Sequence, residues 1–199
     1  MPSSRADAWA RRVVAWTAVL AMASGARPAL GQPAGPPAAV PQLDLATLAG
    51  EWVEVASTGS WALRRCVSDT RHQVRMRGSR SLRLTTRCAT REGALTRHGV
   101  VSRSGPAADG RLHLRYAPRV LTWAPGARSD FVVLAAPPGG GWLLAGDRAR
   151  QWMVVWSRTI ALDESAYAAA LAAARRQGFD VSRLARVPQP SGVSGPPAP

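Results

Sequence analysis

Apolar and polar residues alternate with a period of two through most of the chain between residues 50 and 158. That is the pattern of strands with one buried and one wet face. Turn residues divide it into eight expected strands: Gly50 to Ala56, Val67 to Met76, Leu82 to Cys88, Arg97 to Ser102, Arg111 to Tyr116, Asp130 to Ala135, Trp142 to Gly146 and Gln151 to Arg158. Short strands at this spacing, joined by Gly-rich turns, predict an all-β sandwich or barrel. One helical stretch follows, from about Asp163 to Gln177. Asp163 is placed as its N-cap, Arg175 and Arg176 complement the dipole in its last turn, and Gly178 stops it. Leu162, Ala166, Ala169, Leu171 and Ala173 form its expected apolar stripe, and Ser182 to Val187 is a candidate final strand.

The alternation is sharpest around two cysteines. Arg71, Arg75, Arg77, Arg83 and Arg87 occupy odd positions, while His72, Val74, Met76, Leu82, Leu84 and Thr86 occupy even ones. Arg111, His113 and Arg115 alternate with Leu112, Leu114 and Tyr116 in the same way. The arginines are thereby explained as a solvated outer face. A hairpin turning around Arg77-Gly78 places Cys66 opposite Cys88, because both lie eleven residues from position 77. Opposed residues on antiparallel strands bring Cβ atoms to about 4.5–5.5 Å, near what a disulfide needs. Closing such a loop stabilises a fold by about 3 kcal/mol on the chain-entropy model.

Composition changes this picture in two respects. The net charge of +14 is the kind of footprint that phosphate binding leaves. Yet the chain has no Lys, no Asn and one Ile, Ile160, the bias of GC-rich coding, and its arginines already belong to a solvated face. No specific nucleic-acid partner is expected. The amino terminus then supplies a compartment. Arg5, Arg11 and Arg12 precede an apolar run from Val13 to Ala23, followed by Ala29-Leu30-Gly31, the order of a secretory signal cleaved after Gly31. About eleven apolar residues are too few to cross a bilayer that needs roughly twenty, and no Cys follows Gly31 to carry a lipid anchor. The expectation is a soluble exported protein, periplasmic or secreted, in which a disulfide is stable. The expected organisation is a signal peptide over 1–31, a Pro/Ala-rich leader over 32–41 that is too poor in packing residues to fold, a domain over 42–190, and a flexible Pro/Gly-rich tail over 191–199.

Three segments, in order, resemble the signature regions of the lipocalin family. Leu43-Asp44-Leu45 with Leu48-Ala49-Gly50-Glu51-Trp52-Val53-Glu54-Val55-Ala56 is similar to the family's opening Gly-x-Trp strand, as bacterial lipocalins of the outer-membrane-lipoprotein type write it. Ser129-Asp130-Phe131 resembles the Thr-Asp-Tyr region, and Trp156-Ser157-Arg158-Thr159 the closing-strand Ser-Arg-Thr. Gln177-Gly178-Phe179-Asp180-Val181-Ser182-Arg183-Leu184 resembles the end of bacterial members. The resemblance covers residues 42–190 and implies an eight-stranded antiparallel up-and-down barrel with one C-terminal helix packed outside. It also implies that Gly50 and Trp52 belong to the closed end, that Arg158 lies across the Trp52 indole, and that Asp130 sits at the same end. Val53, Ser57 and Trp61 depart from the usual bacterial Tyr, Arg and Phe at those positions.

Eight strands enclose room for one small ligand, open at one end. With the even face inward, the calyx is lined by His72, Val74, Met76, Leu82, Leu84, Leu112, Leu114 and Tyr116, with Trp61 over the mouth. Each of these residues could equally be ordinary core filling. Arg64 or Arg65 near the mouth could meet a carboxylate or phosphate head group, or simply face solvent. The expected function is binding and carriage or storage of a hydrophobic small molecule or lipid, of the fatty acid or lysophospholipid class, with peripheral membrane contact left open. An enzyme on the same scaffold, with Cys66 and His72 as nucleophile and base, is disfavoured because a paired cysteine is not a nucleophile. A basic surface-binding protein without a calyx ligand is the remaining alternative. No cofactor or metal is implied: His72, His98 and His113 fall on separate strands without ligand spacing.

Overall fold

The computed structural model describes residues 35–105, 108–116 and 128–190, apart from the side chains of Trp61 and Arg128. The expected signal segment and tail, 1–31 and 191–199, lie outside the described residues. Eight antiparallel strands follow one another around a barrel: β1 (Gly50–Ser57), β2 (Ser68–Met76), β3 (Ser81–Thr90), β4 (Gly93–Arg103), β5 (Arg111–Arg115), β6 (Arg128–Ala135), β7 (Trp142–Gly146) and β8 (Met153–Ser157). Each pairs with the next, and β1 pairs with both β8 and β2, which closes the ring. The two-residue strand β9 (Ala185–Arg186) runs beside the end of β1 that has left β2. Its continuation bridges the gap, with the Val187 amide donating to Val55 and the Asp69 amide to Pro188. The expected final strand is thus short, and it seals a seam.

Register decides which side chains face inward. The pairs Trp52↔His72 and Val74↔Leu84 keep even residues opposite even ones across β1, β2 and β3. Between β3 and β4 the parity inverts: Leu82 faces Val101 and Thr86 faces Arg97. Inward positions are therefore odd in β4, even again in β5, and odd in β6 and β7. The inward set makes one core around Trp52, Leu45, Leu48, Leu84, Leu112, Phe131, Leu143 and Trp156. A second core lies outside the barrel wall, where Val53, Val55, Leu144 and Val155 meet the helix α1 (Glu164–Arg176).

The Asp163 carboxylate accepts from the Ala166 amide at the helix start, and Gly178 at φ +79° ends it. Ala170, Ala173 and Ala174 are the buried helix residues, whereas Ala169, expected in the stripe, faces solvent. The stripe is rotated because small side chains let the helix lie close on a wall that carries its own bulk. The leader also departs from expectation over 35–41. Val40 donates to Val133 and accepts from Gly110, while Gln177 and Ala38 exchange two hydrogen bonds. A Pro- and Ala-rich segment with little to bury is held by backbone pairing instead.

At the closed end Leu45–Leu48 forms a short 3-10 turn, capped by the Asp44 carboxylate. The Trp52 indole donates to the Leu48 carbonyl at 2.8 Å, and the Arg158 guanidinium lies 3.6 Å from the centre of its ring. Arg158 also donates to the carbonyls of Glu51, Thr47 and Ala49 at 2.8–2.9 Å. Gly50 has φ +107°, and a Cβ there would stand 2.8 Å from Arg158 Nη1, so glycine serves both backbone and clearance. Asp130 is not at this end. It lies near the start of β6, toward the mouth, 3.3 Å from His113 Nδ1, because β6 descends from the open loop and only its Ala135 end reaches the floor.

The disulfide joins Cys66 and Cys88, with Cα atoms 5.5 Å apart, but not across a regular pair. The hairpin is centred later, between Arg77 and Ser81, and Arg71 faces Arg87. Cys66 lies before β2, where the Val67 amide donating to Ala89 brings the loop back to β3. A shift of register and an irregularity between Ser68 and Arg71 compensate.

Trp52→Ala should destabilise the barrel by about 3–5 kcal/mol, the range for deleting a buried aromatic. In a double-mutant cycle with Arg158→Ala, followed by urea unfolding, the two losses should sum to more than the double variant shows. Strict additivity would remove the coupling that the closed end implies.

Candidate functional site

The lower half of the barrel is solid. Val74, Leu82, Leu84, Val101 and Leu112 pack against Trp52 and the Leu45–Leu48 turn. Above them, toward the loops 58–67 and 147–152, is a cavity of about 200 Å³. Its apolar wall is Ala62, Leu63, Leu114, Phe131, Trp152 and Trp156. Trp156 is its centrepiece, stacked on His72 at 4.1 Å between ring centres and tilted against Phe131 at 5.4 Å. Aromatic rings at these separations give a broad, rigid, apolar surface for a flat or chain-like ligand.

A polar chain crosses one side of the cavity. His72, its side chain 1% exposed, places Nε2 3.1 Å from Glu54 Oε2 and Nδ1 2.9 Å from Thr86 Oγ1. Each ring nitrogen thus has a polar partner, the Glu54 carboxylate on one side and the Thr86 hydroxyl on the other. The Tyr116 hydroxyl reaches Thr86 in turn. Burial pushes the Tyr116 phenol up to about 12, with the Glu54 charge adding to this and Thr86 and Arg97 opposing it. The buried carboxylate is thereby partnered, which removes the main cost of placing it inside.

Three other interior polar groups are not partnered. Among the described residues, Trp152 Nε1, Trp156 Nε1 and Arg97 Nε are buried without a hydrogen bond. The first two belong to side chains lining the cavity, and Arg97 stands on the inward face of β4 beside Tyr116. At the rim, Arg64 and Arg91 are exposed and Arg65 pairs with Glu92, around the half-exposed Val67.

The expected calyx residues divide accordingly. His72, Leu114 and Tyr116 line the cavity; Val74, Leu84 and Leu112 point inward as expected but are floor packing beneath it. Met76 lies beyond the floor and is 44% exposed, because β2 outruns the core at its closed end. Trp61 begins a short turn, Trp61–Leu63, in the loop at the mouth, and its side chain lies outside the described residues. His98 and His113 face outward, toward Thr85 and Asp130 respectively, away from His72. Glu54, Thr86, Arg97, Phe131, Trp152 and Trp156 were not foreseen as site residues. Parity with Trp52 marks Glu54 as inward; Arg97 was hidden because the inversion at β4 turns an odd arginine to the inside.

A family model described as a lipocalin-like domain matches residues 43–189. Among solved structures, lobster apocrustacyanin A1 is similar with a TM-score of 0.59 at 15% identity, covering 77% of this chain and 92% of that one. Insecticyanin from the tobacco hornworm Manduca sexta matches with a TM-score of 0.58 at 14% identity, covering 77% and 82%. The siderocalin Ex-FABP, described as acting through dual ligand specificities, matches with a TM-score of 0.54 at 15% identity, covering 73% and 96%. At these identities the likeness is one of fold. No curated protein sequence matches.

The Tyr116 environment has a measurable consequence. An unfolded phenol ionises near 10.0, whereas the folded one waits until about 12, so between these values the native state holds the extra proton. Stability should therefore fall as pH rises from 10 to 12 and be insensitive to this group below that window. Alkaline titration of phenolate absorbance should show a late component that Tyr116→Phe removes. A titration without it would mean that the hydroxyl is open to water.

Proposed function

The chain belongs to the lipocalin-like family, and from that membership we propose that its barrel binds, and carries or stores, a small hydrophobic ligand. The observation that carries this reading is the cavity walled by Leu114, Phe131, Trp152 and Trp156 above a solid floor. The ligand class is a fatty acid or lysophospholipid whose chain enters first, with its head group left toward the mouth. At about 200 Å³ the cavity is smaller than the roughly 300–1,000 Å³ of most ligand pockets. A short acyl segment fills it, and the remainder of a longer chain lies toward the mouth. The rim also suits peripheral contact with an anionic membrane.

The chain is read as a carrier and not an enzyme, since the Cys66 sulfur is committed to the disulfide and leaves His72 without that nucleophile. Export, in the manner of a bacterial lipocalin without a lipidation cysteine, is supported by the amino-terminal pattern and by the disulfide, which belongs to oxidising compartments. No described helix is long and apolar enough to cross a membrane.

A series of saturated fatty acids, titrated at low and high salt, tests the reading. Affinity should rise by up to about 0.8 kcal/mol per buried methylene, then level off once the cavity is full. Salt should change it by a small factor, through the head group alone. Absence of binding at every chain length, together with tight nucleic-acid binding at physiological salt, would replace the carrier with a basic surface-binding protein.

A further inference from the structure

Arg97 is out of place among the arginines of this chain. Those of β2 and β3 stand on the outer face, with Arg75, Arg83 and Arg87 exposed, whereas Arg97 is set opposite Thr86 on the inner one. Four residues from the mouth end of β4, it is near enough for its charge to act on the Tyr116 phenol, and its Nε is buried without a hydrogen bond. A half-buried guanidinium whose Nε–H lacks a partner is placed to take an anionic acceptor, since an unmet buried donor is costly.

Among the described residues no carboxylate pairs with it. Of the 12 acidic residues, Asp7 alone lies outside the described part. Of the acids that line the cavity, Glu54 is bonded by His72, the Asp147 carboxylate accepts from the Gln151 and Trp152 amides, and Asp130 lies 3.3 Å from His113. Asp69, Glu92, Asp109 and Glu164 pair with Arg71, Arg65, Arg111 and Arg186. The other two orphaned groups in the calyx, the Trp152 and Trp156 indole N–H, are donors as well. The buried atoms left without a partner along the inner wall of the described residues, Arg97 Nε and the two indole nitrogens, are thus all donors.

We propose that the calyx selects an amphiphile ending in an oxyanion, and that Arg97 is its counter-ion. This rests on the carrier reading and specifies it. The chain lies against Phe131, Trp152 and Trp156, and the head group turns back to the β4–β5 wall. There the Arg97 fork donates to its oxygens in a charge-assisted pair. The anchor is an inward residue of the barrel wall, distinct from Arg64 and Arg65 on the rim.

Calorimetric titration with decanoate, decanol and decyltrimethylammonium separates the possibilities, because the three share a tail and differ in the head. Wild-type protein should bind decanoate most tightly and the cation least. Arg97→Gln should lower decanoate affinity by about ten- to a hundredfold, the worth of a hydrogen bond to a charged group, and leave decanol within about twofold, inside the few tenths of a kcal/mol expected of an untouched contact. Arg64→Gln, at the exposed rim, should change neither. Should Arg97→Gln not fold, decanoate with an isotope-labelled carboxyl carbon serves instead. Bound to wild-type protein, the carboxyl should titrate at lower pH than when free, since a facing cation favours its charged form. Equal binding of decanoate and decanol, an unchanged ratio in Arg97→Gln, or a carboxyl that titrates at higher pH when bound overturns the assignment. Binding of none of the three overturns the carrier reading itself, and the anchor with it.

Discussion

The Arg158 guanidinium covers one face of Trp52 and collects the carbonyls of Thr47, Ala49 and Glu51, so the chain entering β1 is tied to the end of β8. The indole is held from its other edge by the Leu48 carbonyl. One residue pair thus ties together the first strand, the last strand and the turn that forms the floor. Cation–π attraction and bonds to carbonyls reinforce each other here, because the ring excludes water from one side of the guanidinium. Gly50 fits this arrangement because a side chain there would meet the guanidinium.

With the floor in place, the interior divides by size and by polarity. Aliphatic residues fill the lower half, and the large aromatics Phe131, Trp152 and Trp156 wall the upper half without filling it. Glu54, His72, Thr86 and Tyr116 cross the wall as a continuous polar chain. Such a chain is tolerable only when each member is satisfied. Of the buried groups that remain unsatisfied, the Trp152 and Trp156 indole N–H are donors on side chains that line the cavity.

The basic surface has a different meaning on each side of the wall. Outside, Arg75 stands directly opposite Arg83, and Arg71 opposite Arg87, mildly unfavourable pairs that water and salt screen. Inside, the same residue type at Arg97 is half-buried, with its Nε left without a partner. Net charge describes the first group well and says nothing of the second.

The eight strands, the helix with its Asp163 cap, and the stacking of Arg158 on Trp52 were legible in the sequence. Each depends on a local period or on short motifs, which survive without knowledge of what lies across the barrel. The inward faces of β2, β3 and β5 were legible for the same reason. Other features were decided only in three dimensions. The pairing of Thr86 with Arg97 follows from the β3–β4 register, which the turn at Arg91-Glu92 sets and local alternation does not reveal. The Cys66–Cys88 bond was foreseen, but through a regular pairing that the fold does not use; a loop folded back onto β3 supplies the proximity. Asp130 was assigned to the floor from its motif, yet strand direction carries it to the mouth. Met76 and Leu84 share a parity, but height along the barrel leaves one exposed and buries the other. Period tells which face a side chain takes; only closure of the sheet tells what it meets there.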